Sequence, residues 1–337
     1  MPGLSARRLA GIGLLALLAW GIVAFPARLA PEWERASLAT HVRAEPIAGA
    51  RLSRRGPFRL AGAWQLSAAA PEFHSLSGLA LSATGAFVAV TDRGMVVSMP
   101  RPGEDAEAKI DALVPDKDGI ARVVDAEAVA LGPGGRKWFA LENQNAIVRT
   151  GPGTARQVNV RPPEMTRWPV TRGPESLTRL ADGRFVVLGE GREKGRDGTF
   201  PGLVFDRDPD AGGTPFLFHL AMPDGLRPVD VAQLPDGNLL VLGRAFHFPF
   251  RFESALYVVN LADIGPARQV AARLAAWIGG AGISDNMEGL AVEEAPDGRV
   301  TAWVVSDDNQ AQWLQQTILL KLETETGALR PEAGSAR

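Results

Sequence analysis

Carboxylates recur along this chain where antiparallel folding would bring them together. Asp92, Glu127, Glu142, Glu175, Glu190, Asp230, Glu288 and Asp307 each stand at the end of an apolar run. The runs begin Ser77-Gly-Leu-Ala-Leu, Glu127-Ala-Val-Ala-Leu, Glu175-Ser-Leu-Thr-Arg-Leu, Asp230-Val-Ala-Gln-Leu and Glu288-Gly-Leu-Ala-Val. Each folds about a turn at Thr84-Gly85, Gly134-Gly135, Asp182-Gly183, Asp236-Gly237 or Asp297-Gly298, pairs that accept the positive φ of a tight hairpin. Stepping outward equally from each turn pairs Ser77 with Asp92, Glu127 with Glu142, Glu175 with Glu190, Asp230 with Arg244 and Glu288 with Asp307. Arg93 and Arg192 lie just beyond these ends.

Like charges set opposite each other destabilise a sheet and raise one another's pKa. Such a ring needs a compensator, either arginine or a metal ion. Calcium suits the residue types best, because it takes six to eight oxygens, largely from carboxylates, carbonyls and water. The plain alternative is a set of strand-end acids paired with nearby arginines or backbone amides.

The steps between the first residues of the five runs are 50, 48, 55 and 58. Repeats of that length, made of strands and turns, predict an all-β chain folded as a single β-propeller. Blades share one orientation about the axis, so the open ends of all five hairpins should face one mouth. The first core strand is expected at residues 58–66 and the last at 317–322, paired across the chain ends. A sixth, degenerate blade assembled from those ends favours six blades over five. Further strands are expected at 146–150, 203–206, 215–220 and 256–260, and a helix at 266–278.

The sequence divides into 1–30, a signal peptide or membrane anchor; 31–57, a linker; 58–325, the propeller; and 326–337, a C-terminal tail. Arg7-Arg8 precede a charge-free apolar run of 17 residues, Leu9 to Phe25. That run implies export to the periplasm or the extracellular space, or attachment to the inner membrane through residues 9–25. With no cysteine, disulfides, thiolate metal sites and a cysteine nucleophile are excluded. A formal net charge of −2 gives no case for nucleic acid as a partner. The 37 Gly and 25 Pro suit many short strands joined by turns.

Other chemistries find little support. No Gly-x-Ser-x-Gly motif occurs, and His74 near Ser75 and Ser77 is not by itself a triad. The four histidines lack zinc spacing. His247 lies in Phe-His-Phe-Pro-Phe, which reads as an aromatic loop packed over the core. Asp206-Arg-Asp208-Pro-Asp210 imitates the start of a calcium loop, but Ala211 and Leu217 replace the glycine and glutamate that loop needs, leaving an acidic turn.

The richest stretch is Ser284-Asp-Asn-Met-Glu-Gly-Leu-Ala-Val, then Trp303-Val-Val-Ser-Asp-Asp-Asn-Gln310, then Gln316-Thr-Ile-Leu-Leu-Lys-Leu322. It resembles the phytase-like family known for "esterase-like activity of phytase". Leu76-Ser-Gly-Leu with Thr91-Asp-Arg-Gly94 is similar to that family's opening hairpin. The resemblance spans residues 74 to 323 and implies a propeller that hydrolyses phosphate or carboxylic esters, an esterase or phosphatase type of hydrolase. The Glu-Gly-Leu-Ala element is also similar to one in gluconolactonase-like propellers, where that glutamate ligates metal. Ala128 and Ser176 stand where related hairpins carry glycine, and Arg244 where an acid is expected.

On this basis Glu127, Glu175, Asp230, Glu288, Asp307 and Asp308 are the candidate calcium ligands. Arg93 or Arg244 would steady the phosphate or oxyanion, and Glu142 or Glu190 would serve as general base. A small ester or phosphate is the expected substrate. The competing reading is a non-enzymatic propeller that binds a ligand or an envelope protein.

Overall fold

The computed structural model describes residues 37–54, 56–113, 124–151, 158–192, 195, 198–223, 225–248, 251–311 and 314–329. The segment expected as signal or anchor lies outside them. Three strands come first: β1 (Ser37–Thr40), β2 (Val42–Pro46) and β3 (Arg59–Ala68). The first sheet then forms from β4 (Leu76–Leu81), β5 (Phe87–Thr91), β6 (Met95–Met99) and β7 (Ala108–Ala112), with β1 on its outer edge. The second holds β8 (Ala126–Leu131), β9 (Lys137–Leu141), β10 (Ala146–Thr150) and β11 (Val158–Val160). The third holds β12 (Pro174–Arg179), β13 (Phe185–Gly189), β14 (Thr199–Phe205) and β15 (Pro215–Ala221). The fourth holds β16 (Arg227–Gln233), β17 (Leu239–His247) and β18 (Arg251–Val259). After it, β19 (Gln269–Ala271) returns to lie parallel beside β15, and β20 (Arg273–Ile278) completes the fourth sheet. The fifth holds β21 (Asn286–Glu294), β22 (Arg299–Asp307) and β23 (Ile318–Glu325), extended outward by β3 and β2.

The inner strands β4, β8, β12, β16 and β21 pack each on the next, and β21 packs back on β4. The described residues thus close a propeller of five blades. The chain ends do pair, Leu319 opposite Trp64, but they complete the fifth sheet and make no sixth. Residues 37–46, expected in the linker, supply the outer strands β1 and β2.

The helix expected at 266–278 is instead β19 and β20. Val270, Ala272, Ala276 and Ile278 are buried while Gln269, Ala271 and Arg273 are exposed. That alternation fits a half-covered outer strand, and sheet pairing overrides the helix propensity of Ala and Leu. The Phe-His-Phe segment does not pack over the core either: Phe246 is 55% exposed and Phe248 83%.

Strand alternation builds the core between blades. Leu240 and Leu242 face the fifth blade, packing with Leu290, Val304 and Leu320. Val241 faces the third, packing with Val186, Leu188 and Val204. Near the axis the inner strands crowd. A Cβ on Gly78 would lie 2.7 Å from Ala128 Cα and 2.8 Å from Glu127 O. Backbone cannot yield as a flexible side chain can, so Gly78→Ala should destabilise the propeller by about 2 kcal/mol. A urea unfolding midpoint equal to wild type would contradict this packing.

Candidate functional site

Each inner strand breaks register near its mouth end. The irregularities fall between Leu76 and Leu79, Ala126 and Ala128, Pro174 and Ser176, Pro228 and Asp230, and Met287 and Gly289. A bulge drops a residue out of the ladder and re-aims its side chain. The residues dropped are Glu127, Glu175, Val229 and Glu288, with Ser77-Gly78 in the first blade. Three of the expected acids therefore sit on bulges.

The bulge, together with turns off-centre by one residue, slides each pairing from the simple count. Glu142 N donates to Asp125 O at 2.9 Å, Glu190 N to Gly173 O at 3.1 Å and Asp92 N to Ser75 O at 3.2 Å. Arg244 pairs with Arg227 and Asp307 with Asn286. The expected partners Glu127 and Glu142, Glu175 and Glu190, and Glu288 and Asp307 are thus not directly opposite. Asp230 stands one place after the bulge, like Ala128, Ser176 and Gly289. Val229 holds the position that is acidic in blades two, three and five.

The predicted acids nevertheless meet. One carboxylate oxygen each from Asp125, Glu127 and Glu142 lie within 4.8 Å of one another. Burial holds Glu127 well above the usual carboxylate range, and the charge of Asp125, then Glu288 and Asp92, adds to it. Glu175 is raised likewise, by burial and then by Glu127, Glu190 and Glu142. Glu142 is pushed to about 7 by burial and by Asp125, against a hydrogen bond from Glu175. Asp92 also reaches about 7, from burial and Asp125, with Arg93 and the Ser75 hydroxyl pulling it down.

The facing arc contains arginine. Arg244 Nη1 donates to Asn286 Oδ1 at 2.5 Å and to Glu288, and Nη2 donates to Glu190 Oε1 at 3.2 Å. Arg227 Nη1 reaches Glu190 Oε2 at 3.4 Å. Asn286 Nδ2 donates to Glu288 Oε1 at 3.0 Å and Asp307 Oδ2 at 3.2 Å. Burial lifts Glu288 to about 8 despite Arg244. Asp307 is also raised, by burial and then Asp92, although Asn309 N donates to its Oδ1 at 2.7 Å.

Asp230 and Asp308, named above as calcium ligands, have their oxygens committed elsewhere. Asp230 accepts from Leu290 N at 2.6 Å, from Val231 N at 2.8 Å and from the Leu79 amide. It thereby ties the fourth blade to the fifth and first. Asp308 accepts from Ser75 N at 3.0 Å and Gln310 N at 3.1 Å, and bonds His74 Nδ1 at 2.8 Å and Thr317 Oγ1 at 3.2 Å. Arg192 lies over the Phe200 ring, 5.8 Å from its centroid. The acidic turn joins blades two and three, Asp208 with Arg136 at 2.7 Å and Asp210 with Trp138 Nε1 at 2.7 Å. Asp125, Arg227 and Asn286 went unrecognised in the sequence, since only the true register places them opposite Glu142, Arg244 and Asp307.

A family model named phytase-like, with the description "esterase-like activity of phytase", matches residues 71–310. The chain belongs to this family. No curated protein matches it. The phytase-like chain is similar in fold to a gluconolactonase from Xanthomonas campestris, at 14% identity over 83% of this chain and 97% of that one, TM-score 0.43. It is also similar to a PQQ-bound aldose sugar dehydrogenase from Streptomyces coelicolor, at 14% identity over 81% and 100%, TM-score 0.45. A third similar structure is virginiamycin B lyase from Staphylococcus aureus, at 12% identity over 84% and 99%, TM-score 0.41.

A carboxyl whose pKa rises on folding binds more protons folded than unfolded between its unfolded value, near 4, and its folded value. With Asp92 and Glu142 at about 7 and Glu288 at about 8, the phytase-like propeller should lose stability as pH rises through that window. Urea titrations in chelator should show a lower midpoint at pH 8 than at pH 5. A flat or rising midpoint would contradict the buried cluster.

Proposed function

We propose that the mouth is a cation-assisted hydrolytic site for phosphate or carboxylic esters, with calcium as the cation. The observation that carries this is the convergence of Asp125, Glu127 and Glu142 beside an arginine-held Glu190. The three carboxylates would hold the ion. They suit it in two ways: the donors are all oxygen, and the pKa values of Glu127 and Glu142 are raised by burial and then by the charge of Asp125, both of which a divalent charge would offset. Bound calcium would polarise the ester oxygen and make a nearby water more acidic.

This chain's own residues supply the rest. Of the two carboxylates expected as general base, Glu142 belongs to the cluster, which leaves Glu190 to accept a proton from the attacking water. Its bonds to Arg244 and Arg227, at 3.2 and 3.4 Å, are long ones. Arg244, fixed by Glu288 and Asn286, offers its charge to an oxyanion forming on that side. Asp230 and Asp308 lock the inner strands whose ends carry these groups. The charge-free run from Leu9 to Phe25 supports a periplasmic or extracellular setting.

The test is release of p-nitrophenol from phosphate and acetate esters by purified protein, with calcium or with chelator. Turnover should require calcium, and Glu127→Gln should reduce it roughly 10- to 100-fold or more. Chelator-insensitive turnover would contradict the role of the ion. No turnover in either condition would overturn the reading in favour of a propeller that binds a ligand or an envelope protein.

A further inference from the structure

The fourth blade carries an element that this chemistry does not use. Strands β17 and β18 run on past the mouth: after the Arg244–Ser254 pair come Ala245–Glu253, Phe246–Phe252 and His247–Arg251. Side chains alternate across a strand, and the two faces of this extension differ in character. On one face His247 Nε2 meets Glu253 Oε2 at 2.9 Å. On the other Phe246 packs on Phe252, ring centroids 5.1 Å apart. The aromatic face is also the face of Arg244, two residues back along the same strand and so about 7 Å away. Arg244 itself reaches into the mouth to Glu288 and Asn286.

A cross-strand aromatic pair steadies such a hairpin by itself, but the part of a ring left in water adds apolar area that only a covering partner would turn to gain. Here the polar face is finished by its own contact, while Phe246 remains 55% exposed. The charge pattern narrows what could cover it. The described contacts of Arg244 and Arg227 run to Glu190, Glu288 and Asn286, and half-buried carboxylates line the opposite arc. A polyanion approaching this mouth would find both guanidinium groups already paired with carboxylates. An uncharged ester brings no standing charge that needs them.

We propose that Phe246 and Phe252 bind the acyl chain of the substrate, and that the substrate class is therefore carboxylic esters with an apolar acyl group. This rests on the hydrolytic reading of the mouth. The ester carbonyl lies among the carboxylates and Arg244, and the chain runs outward along the aromatic face. Phe246 sets specificity and takes no part in proton transfer.

The experiment compares kcat/KM for p-nitrophenyl acetate, p-nitrophenyl hexanoate and p-nitrophenyl phosphate in wild type, Phe246→Ser and Phe246→Leu. Wild type should prefer hexanoate to acetate roughly tenfold. Phe246→Leu should keep most of that preference and Phe246→Ser should lose it. Equal efficiency on the two carboxylic esters, a preference for the phosphate, or an unchanged preference in Phe246→Ser would overturn the proposal. Binding of N-(4-nitrophenyl)hexanamide, which resists hydrolysis, separates this inference from the reading beneath it. Binding that weakens roughly tenfold in Phe246→Ser, without ester turnover, would reject the reaction and keep the acyl surface. Turnover with amide binding indifferent to Phe246 would reject the surface and keep the reaction, and absence of both rejects both. A dimer in sedimentation that dissociates in Phe246→Ser, with acyl preference unchanged, would assign the aromatic face to a second copy and overturn the proposal.

Discussion

Carboxylates from four of the five blades meet at one end of the propeller axis, where burial removes the water that would screen them. Asp92 comes from the first blade, Asp125, Glu127 and Glu142 from the second, Glu175 and Glu190 from the third, and Glu288 and Asp307 from the fifth. The fourth contributes Arg227 and Arg244. Those guanidinium groups bond Glu190 and Glu288 and so neutralise one side of the ring. The Asp125, Glu127 and Glu142 cluster on the other side carries raised pKa values at Glu127 and Glu142, so a proton or the proposed cation would steady it. The proposed chemistry rests on that division into a compensated and an uncompensated arc.

The scaffold makes the division possible by rigidity. Bulges lift Glu127, Glu175 and Glu288 out of their ladders, and neighbouring backbone lies close beside them: a Cβ on Gly289, just after Glu288, would lie 2.8 Å from Ser77 O. Asp230 gives both carboxylate oxygens to backbone amides across three blades. Asp308 does the same for the segment from His74 to Ser75. Two acids act as struts so that their neighbours can be held close despite repelling one another.

Much of this was legible in the repeats. The stride of the five runs, their glycine-containing turns and their terminal acids gave the propeller, the mouth and most of the ring, because hairpin geometry is local. What stayed hidden depends on offsets too small for a period to reveal. A one-residue bulge, added to a turn off-centre by one residue, made Glu127 look like the partner of Glu142 when Asp125 holds that place, and such offsets concealed Arg227 and Asn286 too. Asp230 was grouped with the bulge acids by its type, although Val229 occupies their position. The run at 266–278 read as helix because Ala and Leu favour one, yet an unpaired edge of the fourth sheet lay alongside it. The terminal strands were foreseen but not their place in the fifth sheet, since blade count is a property of ring closure and not of any segment.

The central claim is that the uncompensated arc exchanges protons for a cation. Calorimetric titration of calcium into chelator-stripped protein, repeated at pH 7 in buffers of different ionisation enthalpy, measures that exchange directly. Binding should release about one proton or more per ion at pH 7 and fewer at pH 9, where Glu142, at about 7, is already ionised. Calcium binding with no proton release at pH 7, or no binding at all, would contradict the account.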